Sequence, residues 1–155
     1  MLLEVSLKRE PTQSAYDQLL TFASERCGRL LLIVRKELGL SSTGEEFLEK
    51  LKPHHISRRS VSEWPGTRLL RDTALMIESE FSSEVAAMMM RTASRLFAWR
   101  QPALPEDPCL ISDEGEPWLV TVSHERDAFL RISPGDLRRM RIEAPELFGC
   151  LGRVP

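Results

Sequence analysis

The sequence predicts an α+β fold: a mixed sheet in which N-terminal βαβ-type units are followed by a C-terminal antiparallel β-meander, with helices packed on the sheet. Three observations predict it. Short apolar runs alternate with stretches of helical periodicity through the first two thirds of the chain. The last third holds three apolar runs joined by tight turns. No stretch has the composition of a linker, and 155 residues suit a single globular domain spanning 1–155.

The elements follow in order. Leu2 to Leu7 is rich in Leu and Val and is expected to be a strand, ended by Pro11. Thr12 and Ser14 are candidate N-caps for a helix whose apolar face is Tyr16, Leu19, Leu20, Ala23 and Cys27, with Gly28 as its stop. Leu30 to Val34 is a continuous apolar run, short enough to be a strand buried on both faces. Strand, helix and strand together make a candidate parallel βαβ unit. Thr43 with Glu45 and Glu46 has the signature of a second helix start, Phe47, Leu48 and Leu51 give its apolar side, and Pro53 stops it. His54 to Gly66 lacks periodicity and reads as a loop. Thr73 to Phe81 fits either a helix, by its Ala-Leu-Met-Ile run, or a strand, and the strand is preferred because Ser82, Ser83 and Glu84 then cap a helix reaching toward Trp99.

In the last third, Cys109 to Ile111 and Trp118 to Val122 flank Asp113-Glu114-Gly115, a connection suited to a hairpin with Gly115 at positive φ. A turn from His124 to Asp127 leads to a third strand, Ala128 to Ile132. Ser133-Pro134 then opens a helix with Leu137 and Met140 on its apolar side, and Pro145 to Cys150 forms a last turn.

Composition excludes several classes. The net charge of −2 gives no global attraction to nucleic acid. Three widely spaced cysteines, Cys27, Cys109 and Cys150, form neither a disulfide framework nor a Cys-x-x-Cys pair, which points to a reducing compartment. No apolar run approaches the ~20 residues that cross a bilayer, and the first residues lack the pattern of a secretory signal, so a cytoplasmic location is expected. Arginine outnumbers lysine, a bias of GC-rich bacterial genes. No phosphate-binding glycine loop and no nucleophile elbow occurs, so no cofactor and no enzymatic activity are expected from motifs.

Charge is nonetheless segregated. Lys50, Lys52, Arg58, Arg59, Arg68 and Arg71 cluster in one segment with a single acid, Glu63. Glu106, Asp107, Asp113, Glu114, Glu116, Glu125 and Asp127 cluster in another with a single base, Arg126. Clustered like charge steers association, so the leading expectation is a non-enzymatic interaction module, such as an immunity or adaptor protein of a bacterial toxin or defence system. Its contacts to a basic partner surface would come from Glu106, Asp107, Asp113 and Glu116, with Trp64, beside Pro65-Gly66, as an anchor. The acids are expected in exposed connections. A second expectation is a small metal-dependent hydrolase joining His124 and Glu125, with Asp127 nearby, to His54 or His55. A third is a phosphate or nucleic-acid binder acting through Arg58 and Arg59.

Overall fold

The structure is a computed structural model that describes residues 1–154. Seven strands form one sheet in the order β1-β9-β8-β7-β2-β6-β3, and a two-stranded hairpin, β4-β5, lies apart from it. The strands are β1 (Leu3–Ser6), β2 (Cys27–Val34), β3 (His55–Val61), β4 (Glu63–Trp64), β5 (Thr67–Arg68), β6 (Ala74–Glu80), β7 (Glu106–Ser112), β8 (Pro117–Val122) and β9 (Asp127–Ile132). The helices are α1 (Ser14–Ser24), α2 (Ser42–Leu51), α3 (Ser83–Thr92), α4 (Pro134–Glu143) and α5 (Pro145–Phe148). The fold is α+β, and β7, β8 and β9 form the expected meander.

Every pair of neighbouring strands is antiparallel. The parallel βαβ pairing expected of β1 and β2 therefore does not occur. Four antiparallel steps separate them, so they do point the same way, but β9, β8 and β7 lie between them. Apolar periodicity sets which face a strand buries and says nothing about which strand lies beside it. The meander supplies a run of short antiparallel connections that fills the gap.

Both faces of β2 are covered, as its unbroken apolar run requires. Leu30 and Leu32 join Val5, Leu110, Leu119, Leu130 and Ile132 beneath the helices. Leu31 and Ile33 face the other way with Met76, Cys109, Ile111 and Val120, and Trp64 of the β4-β5 hairpin closes that smaller core. Beneath α1 and α3, the Trp99 indole donates to the Tyr16 hydroxyl (2.9 Å), which donates to the Met89 carbonyl (3.1 Å). The chain thus satisfies two polar groups in a region with no water access.

Local signals fare unevenly. Ser82 and Ser133 accept from the backbone N–H groups of Val85 and Asp136 as caps. Gly115 sits at φ 88°. The second helix begins two residues earlier than Thr43 suggests, with Ser41 as its cap. The residue before α1 is Gln13, at φ 52° and with no side-chain cap, in place of Thr12 or Ser14. The helix from Ser83 ends at Thr92, and a short 3-10 turn covers Leu96–Ala98. The segment from His54 to Gly66, expected to be a loop, holds β3 and β4. Its lack of alternation has a physical cause: β3 is the outermost strand, exposed on most of its length, so neither face demands apolar residues.

Candidate functional site

Two places in the fold concentrate polar chemistry. The first lies where β7 begins. Glu106 and Asp107, expected in an exposed connection, are 2% and 1% exposed. They belong to the strand, which starts before Pro108. A register shift between Leu31 and Ile33 lets β7 carry that proline beside β2 without a regular ladder bond. Asp107 is left at φ 53°, a left-handed conformation that Asp tolerates better than most residues.

Each carboxylate oxygen there has a protein partner. Asp107 accepts from the Trp64 indole N–H (3.0 Å) and from the Ser123 backbone N–H (2.9 Å). It thereby ties the β4-β5 hairpin and the turn after β8 to the sheet. Glu106 accepts from the Gln101 backbone N–H (3.2 Å), and its other oxygen lies 3.6 Å from Arg35 Nε. The Gln101 side chain in turn accepts from the Arg35 N–H and donates to the Arg35 and Gly39 carbonyls. The Arg35 guanidinium also lies over the Trp64 ring, 5.4 Å from its centre. Burial, and then the neighbouring Asp107 charge, raise the Glu106 carboxyl above its ordinary value. Among the described residues, Glu106, Asp107 and His124 are the one group of three metal-ligating side chains whose donor atoms converge, within 4.8 Å of one another. The carboxylates already accept from N–H donors, and Glu106 lies within ion-pair distance of Arg35, so the arrangement works as a clamp that fastens a lid.

This placement redistributes the residues singled out in the sequence. Trp64 is the lid of the smaller core, not an exposed anchor. Its indole needed a buried acceptor, which Asp107 provides. Asp113 and Glu116 are exposed at the opposite end of β7, roughly 20 Å along an extended strand from Glu106. Glu116 pairs with Arg131 (3.6 Å). The five residues expected to make one docking face are therefore split, with three inside the protein. His54 and His55 fall at the start of β3 and His124 follows β8, four strand spacings apart, or about 19 Å. Glu125 and Asp127 stay beside His124, with Glu125 3.9 Å from its ring. The histidines do not converge on one centre. Arg35, Gln101 and Ser123, which complete the clamp, carried no sequence signal: Arg35 and Ser123 act across distant parts of the chain, and Gln101 reaches Glu106 through its backbone N–H, which every residue but proline has. Cys27, Cys109 and Cys150 are buried free thiols, and burial pushes Cys109 up to about 12, so none is poised as a nucleophile.

The second place is the open edge of the sheet. β3 pairs only with β6, leaving its outer side without a strand. Register with β6 puts Arg58 opposite Ile77 on the helix side and Arg59 opposite Met76 on the other. Nearby charges are matched: Arg29 pairs with Glu78, His54 with Glu84 and Arg68 with Glu63. Arg58 and Arg59 have no ion pair among the described residues. On the helix side, a groove of about 500 Å³ runs between α2 and β3. Leu48, Leu51 and Ile77 give it apolar walls, and Arg58 and His55 form its rim toward the edge. No helix among the described residues is long and apolar enough to cross a membrane. In comparisons with protein-family models, curated proteins and solved structures, nothing matches this chain.

Proposed function

We propose that the chain is a non-enzymatic protein–protein interaction module that holds its partner at the β3 edge. The observation that carries this reading is the edge itself: an exposed strand of 7 residues that, among the described residues, is unpaired along its outer side and bears two arginines with no ion pair. An open strand offers a row of backbone donors and acceptors for a partner segment. The internal satisfaction of Glu106 and Asp107 supports a scaffolding role for the acidic centre, which leaves the edge as the richest unsatisfied surface. An immunity or adaptor role in a bacterial toxin or defence system is the setting proposed for such a module. Coexpression of the tagged chain with the products of adjacent genes tests it. The expected result is a stoichiometric complex that survives size-exclusion chromatography. Failure of every neighbouring product to bind rejects the setting. A hydrolytic activity dependent on added divalent metal would reject the non-enzymatic reading.

A further inference from the structure

We infer that the β3 edge recognises an extended acidic segment of another protein, added to the sheet as an eighth, antiparallel strand and carrying the order acid–acid–x–apolar. The inference rests on the interaction-module reading and names the chemistry of its partner.

Charge selects the occupant. Two copies of this chain paired antiparallel about the middle of β3 would set Arg58 opposite Arg58, a like-charge pair that destabilises a ladder. The arginines thus guard the edge against self-association, a common use of edge charge. The same arginines favour a strand that brings carboxylates. Arg58 and Arg59 are consecutive and project to opposite faces of the sheet, so the residues opposite them are also consecutive. One acid alone would satisfy one arginine and leave the other facing solvent.

Geometry supplies the apolar position. In an antiparallel partner, the residue opposite Arg59 comes first and the one opposite Arg58 second. Two residues further on, the chain returns to the helix side, where the register shift between His55 and Ser57 also places His55. There it meets the groove walled by Leu48, Leu51 and Ile77. The opposite wall bears Glu45, Glu46 and Glu49. Glu46 and Glu49 are engaged by Lys50 (3.4 Å) and Lys52 (2.7 Å), while Glu45 has no ion pair among the described residues. That wall disfavours a further acid in the groove and suits an apolar side chain. Antiparallel addition also continues the pattern of the whole sheet and forms the stronger type of ladder.

The test uses the full chain and a short end-blocked peptide containing Glu-Glu-Thr-Leu, followed by backbone amide NMR and hydrogen exchange. Binding should perturb and protect amides of β3 and leave those of β1, at the other edge, unchanged. A counterpart with Lys-Lys in place of Glu-Glu should bind about tenfold more weakly or not at all. The double variant Arg58→Glu/Arg59→Glu, both changes being at exposed positions, should reverse that preference. Equal binding of the two peptides, protection confined to β1, or no binding at millimolar peptide overturns the inference. So does displacement of the peptide by short single-stranded RNA with a steep salt dependence, which would assign the arginines to phosphate. Failure here is distinguishable from failure of the broader reading. A complex with a neighbouring gene product that tolerates Arg58→Glu/Arg59→Glu leaves an interaction module with a different contact surface.

Discussion

Replacing Asp107 by alanine tests whether the buried acids are a clamp. Asp107→Ala strips the acceptor from two buried donors, the Trp64 indole N–H and the Ser123 backbone N–H. A buried donor left without an acceptor costs about 1–3 kcal/mol, so the pair costs about 2–6 kcal/mol. Two further effects act in opposite directions. Alanine fits φ 53° less well than aspartate, which adds about 1 kcal/mol. Removing the charge beside Glu106 relieves the repulsion that raises that carboxyl, which offsets part of the loss. A net destabilisation of about 3–4 kcal/mol is expected, short of the 5–15 kcal/mol that holds a typical domain together. Urea unfolding reads it directly. A double-mutant cycle with Trp64→Phe, which keeps the ring and removes the donor, isolates the indole bond. Asp107→Ala should then cost about 1–2 kcal/mol less in the Trp64→Phe background than in the wild type. A destabilisation below about 0.5 kcal/mol, or no coupling with Trp64→Phe, would refute the clamp.

Three other perturbations test the clamp and two of the turns. Glu106 has its folded-state carboxyl raised above the ordinary value of 4.5, so its protonation favours the folded state at low pH. That contribution is fully present below the ordinary value and is lost as pH rises through the raised one. Glu106→Gln removes it, so the variant should gain stability relative to the wild type as pH climbs above 4.5, then level off. A pH-independent difference in melting temperature would contradict this. Gly115→Val, at φ 88° with open space around its missing side chain, should cost about 1–3 kcal/mol from backbone strain alone. Gly66→Ala should cost more than Gly115→Ala: a Cβ there lies 2.8 Å from Val120 Cγ1 and 3.0 Å from Val122 Cγ2, at φ 91°. The reverse ranking by thermal unfolding would show that the hairpin lid gives way without cost.

The residues that act locally were the legible ones. Ser82 and Ser133 announce their helices because a cap is a bond between neighbours in the chain. Gly115 announces its hairpin because a positive φ is a local demand. The run Leu30 to Val34 announces burial on both faces, which the two cores beside β2 supply. The candidate sites were read less well. Glu106 and Asp107 look like surface residues by type, and their burial depends on donors from Gln101, Ser123 and Trp64, brought in by three separate segments. Two of those donors lie far from positions 106 and 107 in the chain, and the third is a backbone N–H that carries no residue-specific signal. Arg58 and Arg59 stand out as a basic pair, but an edge strand with polar residues on both faces has no period to distinguish it from a loop. The neighbour of β1 was also beyond reach, because its partner, β9, lies almost the whole chain away.

That last pairing has a consequence for synthesis. Leu3 registers with Ile132, and Leu7 bridges to Leu151. On the ribosome, β2, β3 and β6 follow β1 and lie side by side in the order β2-β6-β3, so a three-stranded sheet has all its strands before β7 is made. β7 then pairs at the free flank of β2, and β8 and β9 each pair with the strand made just before it. β1, translated before all of them, has no place to dock until the end. Although it is made before every strand that separates it from β2, β1 is the last to gain its partner, and until β7 is translated the apolar flank of β2 has no strand beside it.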